Sequence, residues 1–217
     1  MPAVVTSFLG QIRPGGLERA LDLTRRAAKP LERTGATSVR AFRGTTGENY
    51  GNLLLAIEYP SMKAYGAGYD QIMKDDEVIS VLATMDAADT PYTAERTIAV
   101  STEIPIGTAG KRGPVLQALV SRPGQGRFAD SIALGTKAAN LFIKSGAVSS
   151  RLFQTGFAGS MTGLLVATTE YPSMAALGDA IDKLMESKDG QAIIEEVNGP
   201  NPPGTLVSID VYTELPL

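Results

Sequence analysis

Glu58-Tyr59-Pro60-Ser61-Met62 returns unchanged as Glu170-Tyr171-Pro172-Ser173-Met174, 112 positions further along the chain. In both places an apolar run with β-branched residues leads into the pentapeptide, and an apolar helical stripe leaves it. Proline cannot continue a strand ladder, and a serine one residue later can cap the first turn of a helix. The pentapeptide therefore reads as a strand-to-helix junction that occurs twice. Flanking segments repeat in the same order. Arg13-Pro14-Gly15 recurs as Arg122-Pro123-Gly124, and Gly35-Ala36, Ser38, Arg40 and Phe42 recur as Gly146-Ala147, Ser149, Arg151 and Phe153. Thr102-Glu103-Ile104-Pro105 matches Thr213-Glu214-Leu215-Pro216. The offset drifts only from 109 to 112, and the drift falls in glycine-bearing loops, where insertions cost little. Two modules are expected, 1–105 and 114–217, joined by a small polar linker at 106–113.

Each module reads in the same coarse order. A strand over Val4–Ile12 precedes a helix carrying Leu17, Leu21, Ala28 and Leu31, matched by Phe128, Ile132, Ala139 and Phe142. Pro30 is expected to bend or shorten the first copy's helix, and Gly35 and Gly146 to end the two helices. A hairpin follows, Ser38–Arg43 and Leu53–Tyr59, then a second helix with an apolar stripe of Met62, Tyr65, Tyr69, Ile72 and Met73. Its twin carries Met174, Leu177, Ile181, Leu184 and Met185. A further helical segment and a last strand, Arg96–Glu103 or Val207–Glu214, close the unit. The pattern is β-α-β-β-α-β, a ferredoxin-like α+β module.

Such a sheet carries helices on one face and needs cover on the other. In the last strand Val207, Ile209 and Val211 alternate with Leu206, Ser208, Asp210 and Tyr212; the aliphatic set is expected to face the helices. Ile98 and Val100 alternate with Thr97, Ala99 and Ser101 in the same way. A mixed polar and apolar inner face suits two sheets that meet around a partly hydrated cavity. The repeats are therefore expected to close on each other as an intramolecular, pseudo-dimeric α/β barrel.

On the β-α-β-β-α-β order, the Glu-Tyr-Pro-Ser-Met junction and the amphipathic helix after it, each half resembles the dimeric α/β-barrel superfamily. That group includes the cofactor-free antibiotic-biosynthesis monooxygenases, muconolactone isomerase and chlorite dismutases. The resemblance covers nearly the whole chain as two fused units. It implies a central cavity that binds a small, partly apolar organic ligand, with monooxygenase-like or isomerase-like chemistry and no cofactor. The sequence departs from the family's haem-binding and several oxygen-using members, which rely on His, Trp or Asn. This chain of 217 residues has no histidine and no tryptophan, so those catalytic sets cannot be carried over.

Composition narrows the classes further. Without histidine or cysteine, a Ser-His-Asp triad, thiolate metal sites and disulfides are excluded, and no metal site is expected. A net charge of −3 and no basic cluster argue against nucleic acid. No apolar run is long enough to span a bilayer, so no membrane partner is expected and a cytoplasmic location is. Further homo-oligomerisation remains open, since helix faces can still pair.

By strand alternation Arg40, Phe42, Arg151 and Phe153 are expected to point into the barrel. A simple hairpin register sets Arg40 near Glu58 and Arg151 near Glu170. Such pairs could hold an anionic or enolic ligand, or serve as structural ion pairs. Tyr59 and Tyr171 end the third strands as candidate hydrogen-bond donors to a ligand, or as packed core rings. Asp210 and Tyr212, where the first copy has Ala99 and Ser101, break the repeat's symmetry and are the candidate catalytic carboxylate and phenol, with Ser101 a candidate ligand contact on the matching strand. If the protein is not an enzyme, the alternative is a binding or structural barrel filled by its own side chains, with Phe42 and Phe153 at its centre.

Overall fold

The computed structural model describes residues 1–217, apart from the side chains of residues 94–96. The chain forms β1 (Val4–Ile12), α1 (Leu17–Arg33), β2 (Ser38–Thr46), β3 (Leu53–Tyr59), α2 (Met62–Ile72), α3 (Asp76–Asp86) and β4 (Tyr92–Ile104). The same order then recurs as β5 (Val115–Pro123), α4 (Phe128–Ser145), β6 (Ser149–Phe157), β7 (Leu165–Tyr171), α5 (Met174–Glu186), α6 (Lys188–Asn198) and β8 (Gly204–Leu215), with one short 3₁₀ turn at Gly159–Met161. All strand pairings are antiparallel, and the sheet closes as β1-β3-β2-β8-β5-β7-β6-β4. Each half contributes four contiguous strands in ferredoxin-like order. The seams are β2 with β8 and β4 with β6. Among the described residues, closure leaves no strand edge for another chain to extend.

The repeated junction behaves as its residues dictate. Ser61 Oγ accepts the Ala64 amide, and Ser173 Oγ accepts the Ala176 amide, each at 3.1 Å. Gly35 and Gly146, just past α1 and α4, have φ of +83° and +124°, which only glycine adopts without strain. Pro30 does not end α1 at its own position. It is buried against the core, and the helix runs on to Arg33.

Helices cover the outer face of each half-sheet. One core gathers Ala20, Leu21, Leu23, Leu31, Ile57, Tyr59 and Tyr92; its counterpart gathers Val115, Ala147, Tyr171, Leu177, Ala180 and Val211. A third cluster, Phe42, Leu116, Ala118 and Tyr212, lies inside the barrel. Two outer-face expectations are corrected. Val211 and Val100 are buried, but Val207, Ile209 and Ile98 are exposed, because they lie on the outward-facing alternate beyond the reach of the helix layer. The stripe on α2 and α5 is only half covered: Met62, Tyr69, Met73, Met174 and Met185 stay exposed. Among the described residues, no helix is long and apolar enough to cross a membrane.

Candidate functional site

Near the barrel's pseudo-two-fold axis lies a cavity of about 70 Å³, lined by Val5, Ser38, Arg40, Phe42, Ala56, Glu58, Arg112, Leu116, Arg151, Phe153, Thr168 and Glu170. Period-two alternation puts them there. On β2, Ser38, Arg40 and Phe42 share one face; on β6, Ser149, Arg151 and Phe153 share the matching one. Arg40 lies over the Phe42 ring at 4.7 Å from its centroid, and Arg151 over Phe153 at 4.9 Å. Each aromatic face therefore supports a guanidinium from below.

The ion pairs are crossed between the halves, which corrects the expected register. Ser38, not Arg40, stands opposite Glu58, and Ser149, not Arg151, opposite Glu170. Arg40 and Arg151 face Ala56 and Thr168 instead. Each hairpin is centred one residue earlier than a simple reading places it, which slips the partner along the strand by two residues. A two-residue slip preserves the face but moves the partner. Arg40 donates from Nε and Nη2 to Glu214 at 2.8 and 2.9 Å, and from Nη1 to Glu170 at 2.9 Å. Arg151 donates to Glu103 at 2.8 and 2.9 Å and to Glu58 at 2.8 and 3.0 Å. Every one of these carboxylates comes from the other half of the chain.

Arg112 completes the ring. It lies between β4 and β5, in a segment tied to β6 through Ser150–Thr108 backbone and side-chain bonds and the Gly110 amide on Ser149 Oγ. Its guanidinium reaches both Glu58 and Glu170, the latter at 3.0 Å. Glu170 also accepts the Gly113 amide at 2.7 Å. Burial pushes the Glu58 carboxyl up, but the hydrogen bonds and charge of Arg151 and then of Arg112 outweigh it and hold it below its ordinary value. Burial alone would likewise lower Arg151, yet its bonds to Glu103 and Glu58 raise it. No buried side-chain nitrogen or oxygen among the described residues lacks a partner.

Glu103, Glu214 and Arg112 are the members that the sequence reading did not assign to the site. The glutamates stood in plain view in the repeated Thr-Glu-Ile/Leu-Pro motif. They sit on the inward alternate, two residues beyond Ser101 and Tyr212 respectively. Arg112 carried no signal, since it was read as linker.

Five expected site residues lie elsewhere. Tyr59 and Tyr171 each follow an inward glutamate, so alternation turns them toward the helices. Tyr59 bonds Thr34 at 3.1 Å, and Tyr171 donates to Gln117 at 3.4 Å. Asp210 is buried and accepts the Asn49 amide at 3.0 Å. There it anchors the β2–β3 loop, and Gly47 (φ +82°) leaves room for its carboxylate. Tyr212 is packed in the interior cluster with Phe42 and Leu116 without lining the cavity, and burial, then the nearby Asp210 charge, pushes its phenol far up. A phenol so disposed is a poor proton donor at neutral pH. Ser101 is buried outside the cavity lining. The asymmetry at Asp210 thus corresponds to unlike hairpin loops, not to an acid–base pair in the cavity.

No family model matches this sequence, and no curated protein is found similar to it. Solved structures do match it. A candidate monooxygenase from Lactobacillus acidophilus superposes with a TM-score of 0.64 at 10% identity, covering 99% of this chain and 94% of that one. An anthrone oxidase-like protein gives 0.64 at 13%, covering 99% and 92%. The heme-degrading enzyme from Listeria monocytogenes gives 0.52 at 12%, covering 97% and 98%. The chain has the dimeric α/β-barrel fold over its full length.

One of these neighbours is a heme-degrading enzyme, which makes haem the group against which this interior is compared. A cofactor of that size needs a pocket of roughly 300 Å³ or more, several times the cavity here. The chain offers no histidine, and the interior phenol, Tyr212, is buried in the inner cluster and does not itself line the cavity. The residues present do not fit haem in this cavity.

Proposed function

We infer that the protein is a small-molecule-binding barrel formed by two modules, 1–105 and 114–217, fused through 106–113. The observation that carries this is the axial cavity itself, walled by Phe42, Phe153, Val5 and Leu116 and rimmed by an ordered guanidinium–carboxylate ring. Apolar walls with a few convergent polar groups are the ordinary make-up of a binding site. Its volume restricts the ligand to a compact molecule. Oxygenase-type or isomerase-type chemistry through Asp210 and Tyr212 is not supported, because neither lines the cavity. A thermal-shift panel of phenols, small quinones and lactones tests the reading. A binder held at about 100 times its dissociation constant adds roughly 2.7 kcal/mol, and Ala56→Leu, which pushes extra carbons into the cavity, abolishes the effect.

A second reading has its own support. Every arginine of the ring is already paired within the chain, as in a barrel filled by its own side chains. A panel with no hit, or hits indifferent to Ala56→Leu, favours it.

A further inference from the structure

The charges at the cavity do not balance. Arg40, Arg112 and Arg151 face Glu58, Glu103, Glu170 and Glu214. Three guanidiniums against four carboxylates leave an excess of negative charge. An anionic ligand, the type expected from two inward arginines, would meet that excess at close range. The three arginines also differ in kind. Arg40 and Arg151 stand on strands and are 12% and 7% exposed; Arg40 grips Glu214 with two parallel bonds, and Arg151 grips Glu103 and Glu58 with two bonds each. Arg112 stands on the segment between β4 and β5 and is 39% exposed. It spans the mouth from Glu58 to Glu170, where the repeat has no equivalent group. One module earlier, the matching position is the exposed Met1.

Take Arg112 away and the strand-borne ring persists, with two guanidiniums facing four carboxylates. Arg151 still holds both oxygens of Glu58, and Glu170 keeps Arg40 and the Gly113 amide. What is lost is one planar cation at the mouth of a cavity whose walls are phenyl rings. Resting on the reading of the barrel as a binding site, we propose that it takes an organic cation, an amidine or guanidine on a compact apolar body. In this account Arg112 is the chain's own occupant of that cation's place. The cationic head sits between Glu58 and Glu170, and the body lies against Phe42 and Phe153. Arg112 swings out to admit it, which its exposure and its place off the sheet permit.

The test uses three probes of one shape and three charges: benzamidinium, benzamide and benzoate. Each is titrated by calorimetry and thermal shift into the full-length protein and into Arg112→Ala, with folding checked by circular dichroism. If Arg112→Ala is not folded, Arg112→Gln takes its place. Benzamidinium is expected to bind the variant roughly tenfold or more tightly than the wild type, since no internal cation then competes. Adding Glu170→Gln to the variant should weaken it, and benzoate should bind neither protein. Tighter binding of benzamide or benzoate than of benzamidinium overturns the cation assignment and leaves the binding barrel standing. So does equal benzamidinium affinity with and without Arg112. No binding of any probe to either protein overturns both.

Discussion

Removing the guanidinium of Arg151 should damage the fold more than removing any other member of the ring. Arg151→Met keeps much of the aliphatic stem over Phe153 but deletes four hydrogen bonds, two each to Glu58 and Glu103. Both carboxylates are 17% exposed. Glu58 retains Arg112, whereas Glu103 loses its bidentate partner. Breaking a buried pair from one side costs about 3–5 kcal/mol; with one carboxylate still held, the lower end applies, about 3 kcal/mol. For a chain of this length that is a fall in Tm of roughly 6–12 °C. Arg40→Met strands Glu214, which is 33% exposed and so better hydrated, and should cost about 2 kcal/mol. Arg112→Met removes the most exposed of the three and should cost about 1 kcal/mol or less. Urea melts of the three variants measure the order. The reasoning fails if Arg112→Met proves as damaging as Arg151→Met, because the strand-borne pairs would then not be the principal tie between the halves.

Acid should weaken the protein through the same ring. Glu58 is held below its ordinary value of 4.5, so its contribution is complete above that pH and is lost as pH falls through its lower folded value. Urea midpoints from pH 6 to 3 should drop, and Glu58→Gln should flatten that part of the profile; an unchanged slope counts against the assignment. Alkali acts on other groups. Burial raises Tyr65, Tyr92, Tyr171 and Tyr212 above their ordinary 10.0, so stability complete below that value is lost as pH rises beyond it. Phenolate absorbance should therefore show some of the seven tyrosines ionising only as the protein unfolds; one smooth titration of all seven near pH 10 contradicts this. At the other end of the barrel, Asp210→Ala leaves the Asn49 amide without its acceptor and should cost about 1–3 kcal/mol. It should leave benzamidinium binding to Arg112→Ala unchanged, whereas a cavity role for Asp210 would abolish it.

The repeat, the helix caps and the inward set of Arg40, Phe42, Arg151 and Phe153 were legible because each follows from local rules: a recurring junction, a glycine cap, a period of two. Partners across the barrel were not legible. Arg40 meets Glu214 and Glu170 only after β2 and β8 pair, and nothing local encodes that seam. Tyr59 could have been rejected on alternation alone, since an inward Glu58 forces its neighbour outward. Asp210 misled because a lone carboxylate on an inner face satisfies the pattern for a base and for a loop anchor alike, and only the path of residues 44–52 separates them. Arg112 lay in a segment read as a small polar linker, yet its side chain bridges Glu58 and Glu170.

Which glutamates answer to which arginine is the claim on which the rest depends, and a double-mutant cycle measures it directly. Arg151→Met with Glu58→Gln should show a coupling of about 1–3 kcal/mol in urea unfolding, since the two make paired bonds across the halves. Arg151→Met with Glu170→Gln, linked only indirectly through Glu58 and Arg112, should couple clearly less than the direct pair. Coupling of Arg151 to Glu170 and not to Glu58 would restore the within-module pairing and contradict the crossed ring.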